Sequence, residues 1–142
     1  MPTVELRFSA LPTHVRTARL IAAAVGRRAG VDEAVIDEVK LATGEACARA
    51  VGLHREHAPR AEIVLAISDD AGVFAVEVRD RGPADGALDP TGTLPAIPDL
   101  LAAGDDLPAG FGLAVIAGLV DDVDVRSSAD GTVVRMAWPL TL

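Results

Sequence analysis

Four short stretches carry side chains whose types and spacing could do chemistry. In "GEACARAV", Gly44 to Val51, Glu45 precedes Arg49 by one helical turn. At 100° per residue Glu38, Glu45 and Arg49 fall along one edge of an alanine-rich stripe. A carboxylate there can serve as a general base, or a guanidinium can tie it up. On a solvated edge the same spacing is an ordinary i,i+4 pair, contributing roughly 0.2–0.5 kcal/mol. In "VEVRDRGPA", Val76 to Ala84, strand alternation turns Asp80 to the side of Phe74, Val76 and Val78, the core side. A carboxylate pointing inward needs hydrogen-bond donors. Gly82 would let a ligand approach the backbone, or the two residues would form only an Asx-turn at the strand end. Thr132 shares its parity with Val134, Met136 and Trp138, so its hydroxyl also faces inward. If the last strand lies near the strand of Asp80, the two polar groups converge under the helix layer; otherwise Thr132 is a β-branched residue starting a strand. In "GFGLA", Gly110 and Gly112 open a helix from an irregular segment. Free N–H groups at such a start form an anion site, although a plain loop-to-helix transition uses glycine in the same way.

The elements that must position these residues follow from periodicity. "TVELRFS", Thr3 to Ser9, alternates as a half-buried strand. Pro12 suits a first helical turn, Val15, Ala18, Ile21, Ala22 and Val25 recur at helical spacing, and Gly30 ends that helix. Asp32 is the expected N-cap of a second helix, with Val31 and Ile36 forming a hydrophobic staple. This helix is predicted to run to about His54, burying Val35, Val39, Ala42, Ala46, Ala50 and Leu53. "EIVLAIS" and "VFAVEVRD" are strands joined by a hairpin turn at Asp69 to Gly72. From Gly82 to Ala109 regular patterning fails, as expected of a functional loop or lid. "GFGLAVIAGLV" gives a short helix, and "DDVDVRSS" and "TVVRMAWPL" give two strands turning around Gly131. The sum is an α+β two-layer sandwich, a mixed or antiparallel sheet with helices on one face, in a single domain over 1–142.

Composition narrows the function classes. Half of the 142 residues are hydrophobic, enough for a real core. No apolar run is long enough to span a bilayer, and no secretory signal is visible at the start, so no membrane association is expected. The net charge of −8 argues against nucleic acid as a partner while leaving a basic protein partner open. The single cysteine, Cys47, excludes an internal disulfide and fits a cytoplasmic protein; on an alanine-rich helix it is expected to pack. His54 and His57 have a metal-compatible spacing but lie where a helix ends, with no further ligand nearby, so no metal site is expected from them.

Taken in order, a helix with E-x-x-x-R at Glu45, a strand ending in D-x-G at Asp80, an irregular lid at 82–109, G-x-G-L at Gly110 and a late G-T at Thr132 resemble the histidine-kinase-like (Bergerat-fold, GHKL) ATPases. More narrowly, the chain is similar to the small anti-sigma factor serine kinases of bacteria. The resemblance runs from "VELRFSA" to "GTVVRMAWPL". It implies ATP as cofactor, a sigma factor and an anti-anti-sigma (STAS-type) protein as partners, and a homodimer. By this resemblance Asp80 accepts from the adenine amino group, with Gly82 against the ring and Thr132 assisting. Gly110 and Gly112 offer backbone donors to the phosphates, and Glu45 is the catalytic base for a substrate serine. The departures bear on the metal. Arg49 stands where the family keeps a Mg²⁺-binding asparagine; a guanidinium there repels the cation and could pair with Glu45. Ala84 replaces the last glycine of D-x-G-x-G, and Phe111 stands where the family often has a basic residue. The adenine end is thus better preserved than the phosphate-and-metal end. Two readings follow: a sigma-factor regulator that also phosphorylates a serine, or a binding module working without nucleotide.

Overall fold

The computed structural model describes residues 3–82, 120 and 122–140. Among these residues alternating sequences form five strands: β1 (Thr3–Phe8), β2 (Ile63–Asp70), β3 (Val73–Asp80), β4 (Asp122–Ser128) and β5 (Gly131–Pro139). They build one sheet in the order β1-β2-β3-β5-β4, and every neighbouring pair is antiparallel. The alternatives of a mixed or antiparallel sheet thus resolve to the second. Two helices, α1 (Pro12–Ala29) and α2 (Glu33–His57), pack against each other and against β2 and β3. The α+β two-layer architecture is as expected from the sequence.

Local chemistry sets the helix ends. Pro12 opens α1, and Gly30 closes it in the left-handed region, φ 94°. The Asp32 carboxylate caps α2 by accepting from the Ala34 N–H at 3.0 Å. Val31 and Ile36 are both buried in the core cluster, as a staple requires. Helix α2 continues to His57, three residues beyond the expected end, and its burial is wider than one stripe. Besides the expected stripe, Ile36, Thr43, Gly44, Cys47, Arg49, Val51 and His54 are buried. Val35 is only half-buried. No helix among the described residues is long and apolar enough to cross a membrane.

The core lies between the helices and the inward face of the sheet. Ile36 and Val39 meet Ile63, Leu65, Ile67, Phe74, Val76, Val78 and Met136, all fully buried. Each such side chain contributes roughly 1.5–3 kcal/mol through burial. The β2–β3 hairpin turns through Ala71 and Gly72, both with positive φ (54° and 77°), since Asp70 and Val73 are paired. That backbone matches the right-handed strand twist, but it strains the alanine. Asp80 ends β3 directly opposite Thr132 of β5. The loop expected at 82–109, beyond Gly82 itself, and the helix expected from Gly110 lie outside the described residues.

Candidate functional site

Three elements converge where β3 ends: α2 passes over it, and the start of β5 runs alongside. Asp80 faces inward, as its parity with Phe74, Val76 and Val78 requires, and is 4% exposed. Two donors meet its carboxylate. Oδ1 accepts from the Gly82 N–H at 3.0 Å, and Oδ2 accepts from Arg49 Nη1 at 2.9 Å. Both side chains of the ion pair are closed to solvent, at 1% and 0% exposure. Burial lifts the Asp80 carboxyl above its ordinary value, while the Arg49 charge and the Gly82 N–H pull it back down.

The Arg49 pairing corrects one expectation. Its guanidinium pairs with Asp80, 31 residues away in sequence, and no Arg49–Glu45 bond exists among the described residues. The reason is solvation. Glu45 is half-buried and keeps contact with water, whereas a fully buried Asp80 needs a compensating cation. Glu45 itself forms no hydrogen bond or ion pair among the described residues. Thr132 is 1% exposed and lies across from Asp80, as expected. Its hydroxyl, however, pairs with the Ser127 hydroxyl of β4 at 3.1 Å.

Glycine is required twice here, in both cases by close approach. A Cβ on Gly82 would come 2.9 Å from the Leu53 Cβ of α2. The neighbour that excludes a side chain at Gly82 is therefore this chain's own helix. Gly131, at φ 131°, lies so close to the backbone of Asp80 and Arg81 that any Cβ would overlap the Asp80 carbonyl. The β4–β5 turn is thereby locked to the end of β3.

His54 is the residue that sequence reasoning missed. It is fully buried, with Nε2 accepting from the Arg81 N–H at 2.8 Å and Nδ1 bonded to the Ala61 carbonyl at 3.0 Å. Because a backbone N–H can only donate, Nδ1 must carry the proton. The neutral ring ties the last turn of α2 to the segment leaving β3. Its signal was helical spacing, four residues after Ala50, rather than its distance from His57. The latter is exposed beside Glu56, at 3.7 Å. Among the described residues no group of three His, Cys, Asp or Glu side chains could hold a metal.

The fold has counterparts among known proteins. The histidine kinase-like ATPase domain matches residues 8–138, nearly the whole chain. The chain belongs to that family. Serine-protein kinase RsbW of Bacillus velezensis is 29% identical over 147 residues, covering 92% of this chain and 81% of that protein. A crystal structure of the RsbU and RsbW domains of Rv1364c from Mycobacterium tuberculosis matches with a TM-score of 0.70 over 99% of this chain, at 21% identity. This chain spans only 33% of that one, and the likeness speaks for the fold. Within the histidine kinase-like ATPase domain, the residues expected at the adenine end, Asp80, Gly82 and Thr132, come together. Glu45 sits one helical turn before Arg49, while Gly110, Phe111, Gly112 and Ala84 lie outside the described residues.

Two features of the site bear on the family's cofactor. Each Asp80 oxygen already holds a donor, and the carboxylate is closed to solvent. The position expected to hold Mg²⁺ carries a guanidinium. The arrangement in hand therefore does not fit Mg·ATP.

Proposed function

We propose that this protein is an anti-sigma factor-like regulator that acts by binding a sigma factor, an anti-anti-sigma (STAS-type) protein, or both, and that its nucleotide pocket is held shut by Arg49. The observation carrying this reading is the sealed Arg49–Asp80 ion pair, which occupies the carboxylate that would otherwise recognise adenine. Likeness to a serine-protein kinase supports the partner class. The guanidinium supports regulation through protein contacts rather than phosphate transfer, because phosphoryl transfer depends on metal and charge neutralisation. A cytoplasmic, homodimeric protein is the setting this reading implies.

A second reading, an ATP-dependent serine kinase, is favoured by one specific observation. Glu45 remains outside any ion pair among the described residues and so stays available as a base. Calorimetric titration with ATP, with and without Mg²⁺, separates the two. The regulator reading expects little or no binding by the wild type and clear binding by Arg49→Asn. In that background Asp80→Asn should abolish the gain. Wild-type protein that binds Mg·ATP as tightly as Arg49→Asn would refute the closed pocket and restore the kinase.

A further inference from the structure

Strand β1 lies at the edge of the sheet. It pairs with β2 alone, so along its other side the backbone N–H and C=O groups have no strand partner among the described residues. Such an edge is a template for a further strand. Its side chains are also incompletely covered. Register sets Val4, Leu6 and Phe8 opposite the fully buried Ile67, Leu65 and Ile63, on the helix side of the sheet. Coverage fades toward the start of the strand: Phe8 is 7% exposed, Leu6 is half-buried and Val4 is 38% exposed. Two hollows separate β1 from α1. One of about 430 Å³ lies beside Leu6, Phe8, His14 and Thr17, and one of about 250 Å³ lies beside Val4, Val25 and Arg28. On the opposite face Glu5 and Arg7 pair with each other at 3.1 Å, their side chains 42% and 64% exposed.

The sequence of this edge complements itself. Turned about a two-fold axis through Leu6, V-E-L-R-F falls onto its own copy with Leu6 facing Leu6, Val4 facing Phe8 and Glu5 facing Arg7. Each apolar side chain then meets an apolar one on the helix side, and each charge meets its opposite on the other face. Other antiparallel registers do not achieve this. Centring on Glu5 stacks two glutamates, centring on Arg7 stacks two arginines, and a shift by one residue sets apolar side chains against charged ones. The second edge strand lacks the symmetry, since about Val125 of β4 Val123 would face Ser127. We propose that two copies of this chain associate through β1, antiparallel and centred on Leu6, joining their sheets into one. The self-matching order of charges selects a second copy over another extended chain. Exposed pairs are weak, so Glu5 and Arg7 exchange their intrastrand contact for cross-strand ones at little cost. Val4, the most exposed of the three apolar side chains, gains cover from Phe8 of the other copy. Strand β2 separates this edge from β3 and the Arg49–Asp80 pair. The association therefore does not rest on the regulator reading, and it stands whether the nucleotide pocket is open or shut.

The test is sedimentation of the full chain over a concentration series, with oxidised cysteine variants fixing the register. Directly opposed residues lie about 4.5–5.5 Å apart between Cα atoms, within disulfide reach, so Leu6→Cys should cross-link two copies. Two Val4→Cys side chains would lie about 14 Å apart and should not. Cys47 is buried and takes no part. Glu5→Arg and Arg7→Glu should each weaken self-association about tenfold. Mixed together, those two variants should associate with each other as strongly as wild type, because each offers the charges the other lacks. An intrastrand ion pair, absent from both variants, cannot produce that rescue. Should Leu6→Cys fail to fold, the mixture of the two charge variants reads the register by itself. A monomer at all concentrations, a dimer indifferent to both charge reversals, a mixture without rescue, or cross-linking through Val4→Cys in preference to Leu6→Cys would overturn the proposal.

Discussion

Arg49→Met should destabilise the protein through the carboxylate it leaves behind. The pair is 2.9 Å long with side chains 1% and 0% exposed, so water cannot replace the guanidinium without opening the fold. At an effective dielectric of 20 the Coulomb attraction of unit charges this close is about 6 kcal/mol, and removing one partner of a buried pair costs about 3–5 kcal/mol. For 142 residues the entropy of unfolding is about 0.3 kcal/mol/K, so Tm should fall by about 10–17 °C. The variant still folds, because a chain of this length has about 7–21 kcal/mol in hand. The penalty depends on pH. Burial raises the Asp80 pKa in the folded protein above its unfolded value, and losing Arg49 raises it further. The folded variant therefore holds a proton on Asp80 to higher pH than the unfolded chain does. That contribution is fully present below the unfolded pKa and is lost as pH rises through the folded one. The deficit of the variant relative to wild type should be full at pH 7.5 and smaller at pH 5.5. Thermal unfolding followed by circular dichroism at both values reads this directly. Arg49→Met/Asp80→Asn, which also removes the Asp80 charge, should recover most of the loss. A Tm within 3 °C of wild type at pH 7.5, or the same deficit at both pH values, would refute the argument.

Other substitutions test the surrounding architecture. Ala71→Asn should stabilise the β2–β3 turn by about 0.5–1 kcal/mol, because asparagine tolerates the positive φ that alanine resists, and urea unfolding would show it. His54→Ala strands the Arg81 N–H and the Ala61 carbonyl, and should cost about 2–3 kcal/mol in the same assay. Gly131→Ala forces a Cβ into the Asp80 backbone and should either prevent folding or lower Tm more than any other single change named here. The Cys47 thiol, pushed up to about 12 by burial, should resist a thiol-reactive dye until the chain unfolds. Prompt labelling of the native protein would contradict its burial.

Much of the fold was legible in the sequence because local periodicity fixes it. Alternation located all five strands, the Asp32 cap and Gly30 bounded the helices, and parity alone turned Asp80 and Thr132 inward. The partner of Arg49 was not legible. Helical spacing offered Glu45 four residues away, whereas the actual partner lies 31 residues on, and only the pairing of helix with sheet brings it near. His54 was hidden for a related reason, since its two bonds reach Ala61 and Arg81 across a chain reversal. Likewise Arg7, Arg79 and Arg126 fall on one line across the sheet only once the order β1-β2-β3-β5-β4 and its register are known.

The Arg49–Asp80 pair also constrains which sequence changes the molecule can survive in succession. Changing position 49 alone leaves a buried anion, and changing position 80 alone leaves a buried cation. The two sites must therefore move together, or pass through an intermediate weaker by about 3–5 kcal/mol. A chain holding Arg49 therefore cannot exchange it for a neutral residue in one neutral step. The step becomes easier where a bound base offers Asp80 a replacement donor, so a small molecule could bridge a gap that mutation alone leaves wide.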